Sequence, residues 1–400
     1  MIPGRPARIL LVSARAGAGH LRAAEALHRA FAANAPGVRV EHVDVLELAP
    51  RWVRTAYADG FEWIAARAPR VWRQIYQRTD GPGPDLQRWG VMAERTLFRA
   101  FRRLLQAEPW GMVVCTHFLP PQLAAARPCL PPFATVITDF TLHRYWLQPG
   151  VRRYFVATPA LAQAVEQQVP GSRVLATGIP VDPAFAAAPC RAEARRALGL
   201  DPCRPTVLVM GGGLGLGVEE AASAACDAGL DQLQVLAVCG RNTTVCERLR
   251  SWDLPPERLR VWGFERGVER FLAAADAVIG KPGGLSSSET LAVGRPLILY
   301  RPIPGQEEGN IQVLVGSGSA LHAPDPAALR HLLVRLFREP GLLATLTEAA
   351  RTTGRPHAAR DIARAVQQEV TAPRVNRVAG GVRAVVSPGA IGSIPRGGER

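Results

Sequence analysis

Four hundred residues are more than one hydrophobic core usually organises, so two domains are expected. A composition of 48% hydrophobic and 20% charged residues excludes a wholly disordered chain, and no apolar stretch approaches the ~20 residues of a membrane-spanning helix. The net charge of +14 is uneven, at +9 over residues 1–185, +1 over 186–371 and +4 over 372–400, which points to an anionic partner for the first part.

Residues 8–13 (Arg-Ile-Leu-Leu-Val-Ser) form a short apolar run, the pattern of a parallel strand buried on both faces. A glycine-containing turn over 14–19 leads into an Ala/Leu-rich helix predicted from His20 to about residue 33. Further strands are predicted at 38–45, 112–116, 134–138, 154–158 and 174–177, with helices between, and 178–190 reads as a linker. The pattern then restarts with a strand at 206–210, a glycine loop at 211–217 and a helix at 218–228. Strands at 233–239, 259–262, 277–279 and 296–300 follow, then a helix at 327–338 and two more to 368. Residues 372–400 are rich in Gly, Pro and Arg without periodicity and predict a disordered basic tail. The fold class is α/β: two Rossmann-like doubly wound domains, 1–185 and 186–371, facing across a cleft at the carboxyl ends of their strands.

Seven cysteines without a Cys-x-x-Cys pair argue against a disulfide framework and a zinc site, and predict a reducing, cytoplasmic setting. The apolar run at the start is too short for a secretory signal. Neither glycine loop of the second half is a Walker motif, and the turn at 13–20 does not match Gly-x-Gly-x-x-Gly, so dinucleotide oxidoreduction loses ground.

The densest chemical signal lies in the second half. Gly280-Lys-Pro-Gly-Gly-Leu-Ser-Ser-Ser-Glu289 places a glycine turn between a strand and a helix, aiming free N–H groups and the positive helix end at an anion. Gly211, Gly212 and Gly213 open a second such turn, and two anion-cradling turns suit a diphosphate. Gly283, Gly284 and Ser286 belong to this cradle. Lys281 is the only lysine among 48 basic residues, and it offers a compact ammonium inside that loop. The Glu289 carboxylate can accept two hydroxyl hydrogen bonds, as from a ribose. Gln306 and Glu307, in Pro304-Gly-Gln-Glu-Glu-Gly-Asn310, offer the donor and acceptor mixture that suits a polyol. In the first half, His20 follows Gly19 at a strand-to-helix turn, where a neutral imidazole can take a proton from an acceptor hydroxyl. Asp139, His143 and Trp146 end another strand and can line the same wall.

Taken in order, these motifs resemble the diacylglycerol glycosyltransferases: the monogalactosyldiacylglycerol synthases and the bacterial processive diacylglycerol glucosyltransferases, with the lipid II-forming peptidoglycan glycosyltransferase more distant. The resemblance is carried by Ser13-Ala-Arg-Ala-Gly-Ala-Gly-His-Leu-Arg-Ala-Ala-Glu-Ala-Leu27, Thr138-Asp-Phe with His143 and Trp146, and Thr177-Gly-Ile-Pro-Val181. Gly211–Gly217, the Lys281-Pro-Gly-Gly loop and residues 304–310 complete it, over roughly 8–350. It implies a GT-B fold, a UDP-hexose donor in the second domain, inversion at the anomeric carbon, and no metal or other cofactor. The absence of any Asp-x-Asp fits the last point. By the same resemblance His20 is the base, or the residue that orients the acceptor, with Asp139 beside it. Glu289 holds the ribose, Gln306 and Glu307 the hexose, and Asn310 belongs to the donor site. The family's first turn usually has more glycines where Arg15 and Ala16 stand here.

Residues 51–103 hold 11 Arg against 5 acidic residues, with nine aromatics that include Trp63 and Trp72. Basic and aromatic residues together on helices suit an anionic headgroup layer. The expectation is a peripheral enzyme on the inner face of the cell membrane that acts on diacylglycerol, with no nucleic-acid partner. The rival readings are a GT-B enzyme with another lipid-linked or small-molecule acceptor, a UDP-sugar epimerase and, from a different class, a basic nucleic-acid-binding protein.

Overall fold

The computed structural model describes residues 7–15, 17–57, 68–80, 96–124 and 130–372. Trp63 and nearly all of the 372–400 tail lie outside them, and the Trp72 side chain does as well.

The first sheet contains β1 (Ala7–Ser13), β2 (Val38–Asp44), β3 (Met112–Cys115), β4 (Phe133–Val136), β5 (Val151–Val156) and β6 (Arg173–Ala176), in the order β2-β1-β3-β4-β5-β6. The second contains β7 (Thr206–Met210), β8 (Gln234–Val238), β9 (Leu259–Trp262), β10 (Ala277–Gly280), β11 (Leu297–Leu299) and β12 (Ala320–His322), in the order β12-β11-β10-β7-β8-β9. Every pairing is parallel.

The period of two explains how one apolar run feeds two cores. On β1, Ile9 and Leu11 enter one core while Leu10 and Val12 enter the other. On β7, Val207 and Val209 separate likewise from Leu208 and Met210. The core that takes Leu10 and Val12 also takes Leu208 and Met210, so the two halves share continuous apolar packing.

Several expectations are corrected. Residues 178–190 contain short helical structure: Asp182 caps the Pro183–Ala186 turn, whose Phe185 is buried. The strand expected at 154–158 starts at Val151 and ends at Val156, because the Thr158 hydroxyl caps the next helix by accepting from Leu161 N–H. β12 is too short to stand out in the sequence. The boundary at 371 assigns the last helix, Ala358–Thr371, to the second domain, whereas its Ala359, Ile362, Ala363, Val366 and Val370 pack with Ile9, Leu11, Leu27 and Phe31 of the first. Those five positions make one helical face, which packs against the first domain's sheet and its Ala18–Asn34 helix.

Candidate active site

The carboxyl ends of β1 and β4 meet those of β7, β8, β10 and β11 around a cleft of about 140 Å³. Its walls include Gly19, His20, Arg22, Thr138 and Asp139 from the first half. The second half supplies Gly211–Gly213, Arg241, Lys281, Gly283, Gly284, Ser286, Gln306 and Glu307.

His20 sits in the first turn of the Ala18–Asn34 helix. Its Nδ1 donates to the Thr116 carbonyl at 2.8 Å, and Thr116 Oγ1 donates to the His20 carbonyl at 2.8 Å, so the end of β3 grips the residue twice. Thr138 Oγ1 lies 3.0 Å from the same nitrogen. A nitrogen that donates to a carbonyl carries the proton, which leaves the lone pair on Nε2. Burial lowers the His20 pKa to about 4, so the ring is neutral at pH 7. His117 stands edge-on with ring centroids 4.6 Å apart, and buried Trp146 packs beside both rings, 6.0 Å from that of His20.

Asp139 lines the cleft but turns toward the second half. Burial pushes its carboxyl up to about 6, opposed by a hydrogen bond with Asn310, raised further by the Glu307 charge and lowered by Lys281. His20 therefore takes its orientation from Thr116 rather than from a carboxylate.

The second wall is largely main chain. Gly212, at φ 67°, and Gly213 border the cleft, with Lys281 Cε 3.4 Å and Ala18 Cβ 3.7 Å from where a Cβ would stand. Glycine at 284 lets the helix Gly284–Ala292 start against the Thr138 carbonyl, which a Cβ would overlap. Lys281 pairs with Glu307, whose other oxygen accepts from Ile303 N–H at 2.8 Å. Both Glu307 oxygens are thus occupied and serve to place the ammonium. Gln306 Oε1 is buried without a hydrogen-bond partner among the described residues.

Two expected donor ligands have other attachments. Asn310 is wholly buried; its Oδ1 accepts from Phe140 N–H and its Nδ2 donates to the Pro282 carbonyl, both at 2.9 Å, so it ties the halves together. Glu289, 2% exposed, has Oε1 2.5 Å from Arg22 Nη2 across the interface, while Oε2 has no partner among the described residues. Burial raises the Glu289 pKa to about 7 despite the Arg22 charge and hydrogen bond. His143 is buried away from the cleft walls: its Nδ1 accepts from Tyr145 N–H at 3.2 Å and its ring packs 4.3 Å from Tyr76.

The basic-aromatic segment divides. Phe98 and Phe101 enter the core, whereas Trp52 is 65% exposed beside exposed Arg51 and Arg54. Sequence reasoning missed Arg22 and Arg241. Arg241 follows the strand–glycine pattern at β8 that flagged the other turns, while nothing in the local pattern of Arg22 announces its partner Glu289.

Two doubly wound sheets closing on a histidine-bearing wall and a glycine-lined wall define a GT-B fold, the architecture of Acinetobacter baumannii MurG, which matches with a TM-score of 0.61 at 17% identity over 91% of this chain and 100% of that one. The family model of monogalactosyldiacylglycerol (MGDG) synthase matches residues 20–181. A probable chloroplastic monogalactosyldiacylglycerol synthase 2 of Oryza sativa subsp. indica is 30% identical over 363 residues, covering 82% of this chain and 73% of the relative. A processive diacylglycerol beta-glucosyltransferase of Bacillus pumilus is 34% identical over 194 residues, covering 48% of this chain and 50% of its own length. The chain belongs to the monogalactosyldiacylglycerol synthase family, in agreement with the resemblance its motifs carry.

Proposed function

We propose that this protein transfers a hexose, galactose or glucose, from a UDP-sugar to diacylglycerol with inversion at the anomeric carbon, as a peripheral enzyme on the inner face of an anionic membrane. The observation that carries this reading is that neutral His20, with Nε2 unprotonated, lines the same cleft as the glycine turns, Lys281 and the helix N-terminus at Gly284.

The glycerol hydroxyl attacks the anomeric carbon while His20 Nε2 takes its proton, and the sugar–phosphate bond breaks as UDP leaves. Charge develops on the departing diphosphate, where Lys281, the main-chain amides and the positive helix end stabilise it. This reading therefore assigns no step to a metal. Gln306 Oε1, buried and unpartnered among the described residues, accepts a hexose hydroxyl. Glu289 accepts the ribose once Arg22 yields. The cleft volume of about 140 Å³ is below the roughly 300–1,000 Å³ of ligand pockets, so donor binding requires its walls to part.

The acceptor stays in the bilayer, since each methylene drawn into water costs ~0.8 kcal/mol. Among the described residues no helix is long and apolar enough to cross a membrane. Exposed Trp52 with Arg51 and Arg54 supports docking, each Arg contributing about 1 kcal/mol at an anionic surface. Incubating the protein with radiolabelled UDP-galactose or UDP-glucose and diacylglycerol vesicles tests this. Labelled glycolipid and lipid-dependent UDP release are expected; label in neither lipid fraction overturns the proposal.

A further inference from the structure

A second cavity among the described residues is larger than the cleft. A groove of about 1,000 Å³ lies at the opposite edge of the second sheet. Asp276, in its wall, directly precedes β10 and accepts from Thr206 N–H at the start of β7, which places the groove at the amino ends of the strands.

Guanidinium groups outnumber carboxylates here. Arg191 and Arg195 share Asp276, at 2.7 Å to one oxygen and 2.8 Å to the other. Arg295 is half-buried and donates only to main chain among the described residues, from Nε to the Leu272 carbonyl at 3.2 Å and from Nη2 to the Ala273 carbonyl at 2.7 Å. Arg351 has Glu348 at 3.7 Å, and both of those side chains are exposed. Glu339 is committed to Arg335 at 3.0 Å. The left-handed Gly294, φ 68°, leaves the space that the Arg351 stem fills, its Cγ lying 2.8 Å from where a Cβ would stand. The backbone thereby seats Arg351 beside Arg295.

Like charges held together in one groove repel one another, most strongly around the half-buried Arg295. Burial, together with the charges of Arg191, Arg351 and Arg195, lowers the Arg295 pKa, with Asp276 opposing. A dianion relieves this repulsion. A tetrahedral phosphate presents several oxygens at once, matching guanidinium forks that approach from different elements. Leu336, Phe337 and Leu343 form an apolar flank that suits an organic substituent.

We propose that this groove is a second binding site, separate from the catalytic cleft, for a phosphomonoester dianion, held by Arg191, Arg295 and Arg351. The ligand is either a soluble phosphate compound or a lipid headgroup of the same chemistry. Two arms separate these sources: calorimetric titration of the full chain with inorganic phosphate, and sedimentation with phosphatidylcholine vesicles with or without phosphatidic acid. Arg191→Gln combined with Arg351→Gln alters exposed side chains and leaves the main-chain bonds of Arg295 intact. Each lost charge-assisted bond weakens binding about tenfold or more, so the double variant is expected to lose about a hundredfold in one arm. Lys281→Ala, in the cleft, leaves the part of the binding that depends on Arg191 and Arg351 unchanged. Arginine-dependent binding of phosphate assigns the site to a soluble ligand, and arginine-dependent binding of the vesicles alone assigns it to a headgroup. Absence of binding in both arms, or equal binding by wild type and the double variant, overturns the proposal.

Discussion

On the amino side of the cleft the proposed base is a side chain locked in a polar network, His20 on Thr116 with Thr138 at the same nitrogen. On the carboxyl side it is mostly backbone, Gly211–Gly213 and the helix N-terminus at Gly284, with one ammonium placed by Glu307. The contrast fits the tasks that the proposed transfer gives the two walls. Moving a proton demands one titratable atom with a defined tautomer, which requires hydrogen-bonded burial. Holding a spread negative charge demands several donors close to a ligand, which requires that Cβ atoms be absent. One wall is therefore sensitive to the chemistry of its side chains and the other to added volume.

Replacing His20 by Ala is expected to give the largest effect, lowering kcat by about 10²–10⁴ while UDP affinity holds. Retained turnover would break the asymmetry between the walls. Because burial keeps His20 near 4, the acid limb of kcat/KM should fall near that value and not in the ordinary histidine range; a limb near 6.5 would contradict the buried neutral ring.

Gly284→Ala tests the other wall by volume. Its new Cβ overlaps the Thr138 carbonyl, a backbone atom with little room to yield, so urea denaturation should show a loss of ~1–3 kcal/mol. Asn310→Ala strands Phe140 N–H and the Pro282 carbonyl, costing ~1–3 kcal/mol if both stay buried. A loss within error would mean that water replaces the amide and that the tie between the halves is weak.

Glu289→Gln should have the smallest and most pH-dependent effect. The folded-state pKa near 7 lies above the ordinary 4.5, so the folded protein holds the proton more tightly. That contribution is complete below about 4.5 and disappears as pH rises through about 7. Stability of wild type relative to Glu289→Gln should therefore fall across that interval, measured as denaturation midpoints at several pH values. A flat difference would show that Arg22 compensates Glu289 fully.

Most of the strands and the glycine turns were legible because each is a local pattern: a short apolar run, then residues without Cβ. β12 was not, since three residues within a small-residue stretch carry no period. Among site residues, His20, Lys281 and Gly284 line the cleft as their positions at strand ends suggest. Asn310 and Glu289 were legible as polar residues near the cradle, but their attachments, to Phe140 and Arg22, lie more than a hundred residues away. Phe98 and Phe101 show the same limit, since an aromatic in a basic segment suits a membrane or a core equally until packing decides.

The order of residues alone determined the double α/β repeat, the placement of glycines at strand ends and the excess of charge on the first half. These depend on backbone period and composition, which neighbouring residues specify together. Only the tertiary structure decided that the last helix returns to the first sheet, that Asn310 and the Arg22–Glu289 pair join the halves, and that arginines from separate elements gather around Asp276. Each is a meeting of segments distant in the chain, set by which buried faces and charges must find partners once both sheets have formed.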